Sequence, residues 1–104
     1  PAMIQKETRE PIINESRNRL HNVRGTISMA RTSQPDSASA QFFINQRTNL
    51  RLDWTPGSAG YTVFGEVVSG MNVVDFIAIS KTKSMRGFEN IPIEPIIIID
   101  IHRN

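Results

Sequence analysis

The sequence of 104 residues predicts one mainly β domain, a curved sheet or barrel with a single helix closing one end. Three observations predict this class. Short apolar segments either alternate with polar residues or are rich in β-branched side chains, as strands are. One segment alone has helical spacing. Stretches rich in Pro, Gly, Ser and Asp separate the others, as surface connections do.

The first predicted strand is "GTISMAR" (25–31), after a polar and irregular start that reads as loop with some extended pieces. Its residues alternate, so Ile27, Met29 and Arg31 share one side. The segment that follows, 32–40, combines Pro, Asp and Ser, which is typical of a surface loop.

The second predicted strand is "QFFIN" (41–45). In a strand, Gln41 and Phe43 point to one face, and Phe42 and Ile44 point to the other. If the second pair fills the core, the first pair can line a groove in which a ring and an amide hold a peptide. Spacing alone favours the simpler interpretation, in which Phe43 is a core residue and Gln41 a polar residue of an edge strand.

A long connection, 46–60, leads to a third predicted strand over 61–68, with a bulge or kink at Gly65. Apolar residues at helical spacing then predict a helix over 71–80, directly after Gly70.

The last part of the chain is predicted to be a loop over 81–95 and a strand over 96–101. The final segment, "IIIIDI", is β-branched throughout apart from Asp100. A strand that is apolar on both faces is usually central in a sheet or covered by a helix.

Composition excludes several classes of function. The net charge is +2 and no run of five basic residues occurs, so nucleic acid is not an expected partner. Cysteine is absent, which removes disulfides and thiolate chemistry. No apolar run approaches the roughly 18–20 residues of a membrane span. The chain opens with Pro1 and not with Met, which leaves open whether its natural start lies upstream.

No sequence motif indicates acid–base, nucleophilic, phosphoryl-transfer or metal chemistry. His21 and His102 lack ligand partners at metal-site spacing, so both are predicted to be surface or structural residues. Neither a G-x-S-x-G elbow nor a phosphate-binding loop is present. No metal and no cofactor are predicted.

The blocks "RGTISMARTSQPDSASAQFFIN", "YTVFGEVVSGMNVVDFI" and "IPIEPIIII" resemble the cyclophilins, the peptidyl-prolyl cis–trans isomerases, and most closely their short bacterial type. The resemblance runs in order through nearly the whole chain. It implies a closed, eight-stranded antiparallel barrel capped by helices. It also implies an outer groove that binds Xaa-Pro peptides and accelerates rotation about the prolyl bond in protein folding.

The resemblance also implies the roles of the site residues. Gln41 and Phe43 are the expected catalytic residues, with Phe43 as the floor of the proline pocket and Leu52 as a wall. The expected substrate-binding residues are Met29, Ala30, Arg31, Gln41, Phe43, Arg51, Leu52 and Tyr61. Relatives often carry an aromatic residue in place of Arg51, so cyclosporin is a doubtful ligand.

The front of the chain departs from the family pattern. The F-H-R-V-I strand with the family's catalytic arginine is absent, as are the strands and helix that precede it. In "PAMIQ" (1–5), Met3–Ile4–Gln5 resembles an M-I-Q motif that follows the F-H-R-V-I strand in the family. We favour a second alignment, in which 1–15 matches a loop further along the family pattern, because it needs no deletion. We therefore expect a partial or naturally reduced domain over 1–104, with a complementing N-terminal segment or a homodimer covering its exposed edges.

Three functions remain open from the sequence. The leading one is an isomerase that acts on proline-containing peptides and unfolded proteins. The second is a module that binds proline-containing peptides without turnover, since the family's arginine is absent. A variant of the isomerase function has Arg31 or Arg51 in place of that arginine as the donor. The third is a structural protein that uses only the barrel surface. A cytoplasmic location is expected, with the periplasm left open.

Overall fold

The chain is described by a computed structural model, which defines residues 4–80, 82–85, 88–92 and 96–103. At its centre is a three-stranded antiparallel sheet with the order β2-β1-β3. The strands are β1 (Thr26–Met29), β2 (Phe42–Ile44) and β3 (Val63–Glu66). The structure thus confirms the strands predicted over 25–31, 41–45 and 61–68, each trimmed at its ends.

The register of the sheet gives it two different faces. Ser28 lies opposite Phe43 on one side and opposite Val63 on the other, so these three residues share a face, which we call the Phe43 face. The opposite face, which we call the Phe42 face, carries the pairs Ile27–Ile44 and Met29–Phe42. The predicted alternation along 41–45 is therefore confirmed.

Strand β3 contains the irregularity that the sequence predicted near Gly65. Ile27 pairs with Gly65 and Ser28 pairs with Val63, which leaves Phe64 as an extra residue in β3. An extra residue of this kind bends the strand and increases its twist.

The helix α1 (Met71–Ala78) follows Gly70, whose φ of 93° lies in the left-handed region that favours glycine. It confirms the helix predicted over 71–80. A bidentate ion pair between Arg24 and Asp75, with both N–O distances at 2.8 Å, joins α1 to the start of β1. Two short 3₁₀ helices lie in the connections, at Ser16–Asn18 and Leu50–Leu52.

Two predictions for the last part of the chain are wrong. The segment 81–95, predicted as loop, contains the antiparallel strands β4 (Thr82–Met85) and β5 (Phe88–Pro92). The segment 96–101, predicted as a strand, has no regular structure, and the side chain of Ile99 is 95 % exposed. Strand propensity alone did not form a strand, because a strand also needs a partner and a packed face. The described strands form two separate sheets and do not close into a barrel.

The most buried side chains of residues 4–80 and 96–103 are mainly polar. Ala38 and Val63 are the buried apolar residues of this part of the chain. The fully buried side chains are those of Asn22, Ser28 and Asn45, and they meet on the Phe43 face. None of the helices that the structure describes is both long enough and apolar enough to span a membrane.

Candidate functional site

A buried network of hydrogen bonds supports the Phe43 face from below. The Asn22 side-chain oxygen accepts bonds from the Ser28 hydroxyl at 2.6 Å and from the Asn45 amide at 3.0 Å. Its amide nitrogen donates to Asp53 Oδ1 at 3.0 Å and to the Tyr61 carbonyl at 3.2 Å. Because Asn22 joins four segments of the chain, we refer to these residues as the Asn22 network.

Asp53 anchors the outer side of the Asn22 network. Its side chain is 14 % exposed, and His21 Nδ1 lies 2.7 Å from its Oδ2 atom. Burial raises the pKa of Asp53, but hydrogen bonds from the backbone and side-chain amides of Asn22 and from His21 outweigh this effect and lower the pKa overall. Asp53 is therefore ionised at neutral pH and holds His21 and Asn22 in place through these bonds.

Phe43 and Tyr61 form an aromatic pair above this network. The ring centroids lie 5.9 Å apart at an interplanar angle of 73°, an edge-to-face arrangement. Both side chains are half-buried, so Phe43 is neither a deep core residue nor fully exposed. A half-exposed ring held by a neighbouring ring is a firm apolar surface for a small cyclic side chain.

Arg31 lies beside this pair, and three of its five guanidinium N–H groups donate hydrogen bonds. Its guanidinium carbon is 4.5 Å from the centroid of the Tyr61 ring. Its nitrogens donate to the carbonyls of Gly60 at 3.3 Å, Ala59 at 3.1 Å and Thr32 at 2.8 Å. Arg31 therefore fixes the 59–61 segment and the Tyr61 ring, which makes it a positioning residue in this structure.

Gln41, Ala30 and Met29 lie at the end of the β1–β2 pair. The Ala30 backbone donates to the Gln41 carbonyl at 2.9 Å, and the Gln41 side chain is exposed. Gln41 directly precedes β2 and stands two residues before Phe43. Met29 pairs with Phe42 instead, so the structure places it on the opposite face from Phe43.

Leu52 reaches the site through its backbone. Its carbonyl accepts a hydrogen bond from the Tyr61 amide at 2.8 Å, which places the 3₁₀ helix beside Tyr61. Gly60 makes this approach feasible, because a Cβ atom there would collide with the backbone of residues 52–54. Arg51 is exposed in the same 3₁₀ helix.

The sequence patterns proposed surface residues for this site and missed the buried residues that lie beneath them. The missed residues are Asn22, Ser28, Asn45 and Asp53. They are separated by up to 31 positions, and no short motif connects them. The one available signal was "FFIN", in which a polar residue directly follows an apolar strand, and that pattern also occurs at ordinary strand ends.

Comparison with known proteins places this geometry in a family. The model of the cyclophilin type peptidyl-prolyl cis-trans isomerases matches residues 2–103. The chain therefore belongs to the cyclophilin family, as the resemblance predicted.

Curated relatives agree with this assignment. The chain is 51 % identical to peptidyl-prolyl cis-trans isomerase A of Dickeya dadantii, over 92 % of this chain and 50 % of the relative. It is 50 % identical to a peptidyl-prolyl cis-trans isomerase of Acinetobacter baylyi, over 95 % of this chain and 53 % of the relative. For peptidyl-prolyl cis-trans isomerase B of Escherichia coli the identity is 50 %, over 94 % of this chain and 62 % of the relative. The chain thus spans about half the length of the first two relatives.

Proposed function

We propose that this chain carries the peptide-binding face of a peptidyl-prolyl cis–trans isomerase and accelerates rotation about Xaa-Pro bonds. The observation that carries the proposal is the half-exposed Phe43 ring, set edge-to-face against Tyr61, with the exposed Gln41 side chain two residues away. The ring can take a prolyl side chain, and the Gln41 amide can bond to the backbone of the same peptide.

The reaction needs no proton donor of matched pKa. Rotation about a prolyl amide breaks no covalent bond, and its barrier of about 18–20 kcal/mol comes from lost amide resonance. A catalyst has only to bind the twisted amide better than the planar one. Holding the ring against Phe43 while Gln41 holds the peptide backbone restrains the two sides of the bond independently, which favours the twisted geometry.

A second candidate function is binding of proline-containing peptides without turnover. A donor aimed at the prolyl nitrogen stabilises the twisted amide, because twisting frees the nitrogen lone pair. The Arg31 guanidinium lies over the Tyr61 ring of the Phe43–Tyr61 pair and is bonded to three carbonyls. This engagement argues against Arg31 as a replacement for the family's arginine and favours the binding module when no other donor is supplied.

We also propose that further strands cover the Phe42 face and complete a barrel. Phe42 is 42 % exposed, and Ile77 of α1, which lines the same groove, is 41 % exposed. Such apolar surface is usually covered in the working protein. An N-terminal segment of the family pattern, or a second copy when this chain stands alone, would cover it. The exposed Arg51, in place of the aromatic residue that relatives often carry, argues against cyclosporin as a ligand.

Turnover on an Xaa-Pro peptide tests the first function against the second. In an NMR exchange or protease-coupled assay, we expect Phe43→Ala to abolish the acceleration. Phe64→Ala, which removes an exposed ring of β3, is the matched control and should retain it. Peptide binding without acceleration by the unaltered chain would establish the binding module. Failure to bind any prolyl peptide would overturn both functions.

A further inference from the structure

A basic cleft lies beside the site, at a place to which the proposed function gives no role. It has a volume of about 440 Å³ and is lined by Ser16, Arg17, Arg19, Leu20, His21, Asp53 and Trp54. The cleft therefore combines two arginines, a histidine and an indole with a single carboxylate.

The one acidic group of the cleft cannot neutralise these cations. Asp53 Oδ1 accepts hydrogen bonds from the backbone and side-chain amides of Asn22, and Oδ2 lies 2.7 Å from His21. Within residues 4–80 and 96–103, neither Arg17 nor Arg19 takes part in an ion pair. The cleft thus retains positive charge that an added carboxylate could meet.

The two arginines are held at the cleft in different ways. The guanidinium carbon of Arg17 lies 4.8 Å from the centroid of the Trp54 ring, a stacked arrangement that leaves its N–H edge available. Arg19 has a φ of 66°, in the left-handed region that glycine and asparagine usually occupy. This conformation caps the C-terminal end of the 3₁₀ helix Ser16–Asn18, and the Arg19 side chain lines the cleft from there.

The cleft is linked to the proposed peptide site along the chain, through residues 52–54. At the peptide site, the Leu52 carbonyl accepts a hydrogen bond from the Tyr61 backbone amide. Trp54, two residues later in the chain, lines the cleft. Two residues span at most about 7 Å, so an extended peptide of a few residues can reach from one to the other. We propose that the cleft binds an acidic side chain of the same polypeptide whose proline lies against Phe43. This inference rests on the proposed function.

Matched peptides test the inference directly. Each Xaa-Pro peptide carries one Glu at two to four residues from the proline, on either side, and is paired with the same peptide carrying Gln. Binding is followed by NMR titration of the full chain. We expect the best-placed Glu peptide to bind about threefold to tenfold more tightly than its Gln partner at low salt, because charge-assisted bonds are the stronger ones. Added salt should reduce this ratio.

Arg19→Gly separates this role from a structural one. Glycine relieves the left-handed backbone, so the melting temperature should not fall, while the Glu-to-Gln ratio should drop towards one. Arg47→Gln, an exposed arginine that does not line the cleft, is the control and should keep the ratio.

The two proposals fail in different ways in this experiment. Equal binding of the Glu and Gln peptides would overturn the acidic subsite. A preference for Glu that persists in each of the single variants Arg19→Gly and Arg17→Gln would overturn it as well. Neither result would affect the proposed prolyl site. If neither peptide binds the unaltered chain, the proposed function fails, and the subsite inference fails with it.

Discussion

The two faces of the three-stranded sheet are covered to different extents and by different kinds of side chain. On the Phe43 face, the side chains of Asn22, Ser28 and Asn45 are fully buried and joined by hydrogen bonds. Beside α1, the Phe42 face opens into an apolar groove of about 310 Å³ that is lined by Phe42, Ile44 and residues of α1 and also touches Phe43, and Phe42 itself remains 42 % exposed. The side chains that cover the Phe43 face come from this chain. The residues that the structure describes leave the Phe42 face partly uncovered.

This difference explains how a short chain can carry a well-defined site. Buried hydrogen bonds are directional, and a buried polar group left without a partner is costly, so a small network can fix several segments at once. The Asn22 network holds residues 22, 28, 45, 53 and 61 together, and Phe43 and Tyr61 lie on top of it. The apolar face depends instead on buried area, and area needs a partner surface.

The largest expected effect is on the polar face. Asn22→Ala should lower the free energy of unfolding by about 3–5 kcal/mol, because it leaves the Ser28, Asn45 and Asp53 groups with unmade bonds in a buried place. Denaturant unfolding measures this loss. Asn72→Ala, on the exposed side of α1, should change the free energy by less than about 0.5 kcal/mol. A loss below about 1 kcal/mol for Asn22→Ala would show that the network does not hold this face together.

The next effect concerns the apolar face. If the chain stands alone, we expect it to form a dimer through the Phe42 face, and Phe42→Glu should convert the dimer to a monomer by placing a charge in the interface. Light scattering gives the mass, and circular dichroism checks that the variant is folded. Ile13→Glu is the control, since Ile13 is exposed elsewhere and its replacement should leave the dimer intact. A compact monomer of the unaltered chain would remove this prediction.

The smallest effect is on the charged link between α1 and β1. Hydrogen bonds from Arg24 and Gln46 lower the pKa of Asp75 to about 2, from an ordinary value of about 3.9. Because the folded state has the lower pKa, the link stabilises the fold fully above about pH 4, and its contribution disappears as the pH falls through about 2. Both side chains are partly exposed, so the contribution is small and weakens with salt.

Asp75→Asn tests this link across the pH range. The variant should melt below the unaltered chain at about pH 7, and the two melting temperatures should converge near pH 2. Glu7→Gln, an exposed carboxylate, should show no such pH-dependent difference. A gap between Asp75→Asn and the unaltered chain that stays constant down to about pH 2 would mean that the ion pair does not contribute.

Sequence patterns predicted the strands of the sheet better than they predicted the Asn22 network beneath it. The alternation in 25–31 and 41–45 located β1 and β2 and separated Phe43 from Phe42, because one face of each strand is more polar than the other. The "IIIIDI" segment misled, since β-branched residues favour extended backbone but do not supply a partner strand. The Asn22 network could not be predicted, because its bonds join residues that are distant in the sequence and have no common spacing.

We expect prolyl peptides to bind to the Phe43 face and not to the Phe42 face. NMR titration of an Xaa-Pro peptide into Phe43→Ala and Phe42→Ala tests it most directly, because the two rings are adjacent in the chain and point to opposite faces of β2. We expect Phe43→Ala to weaken binding at least about tenfold, while Phe42→Ala stays within about threefold of the unaltered chain. The reverse result, with binding lost in Phe42→Ala and kept in Phe43→Ala, would contradict it.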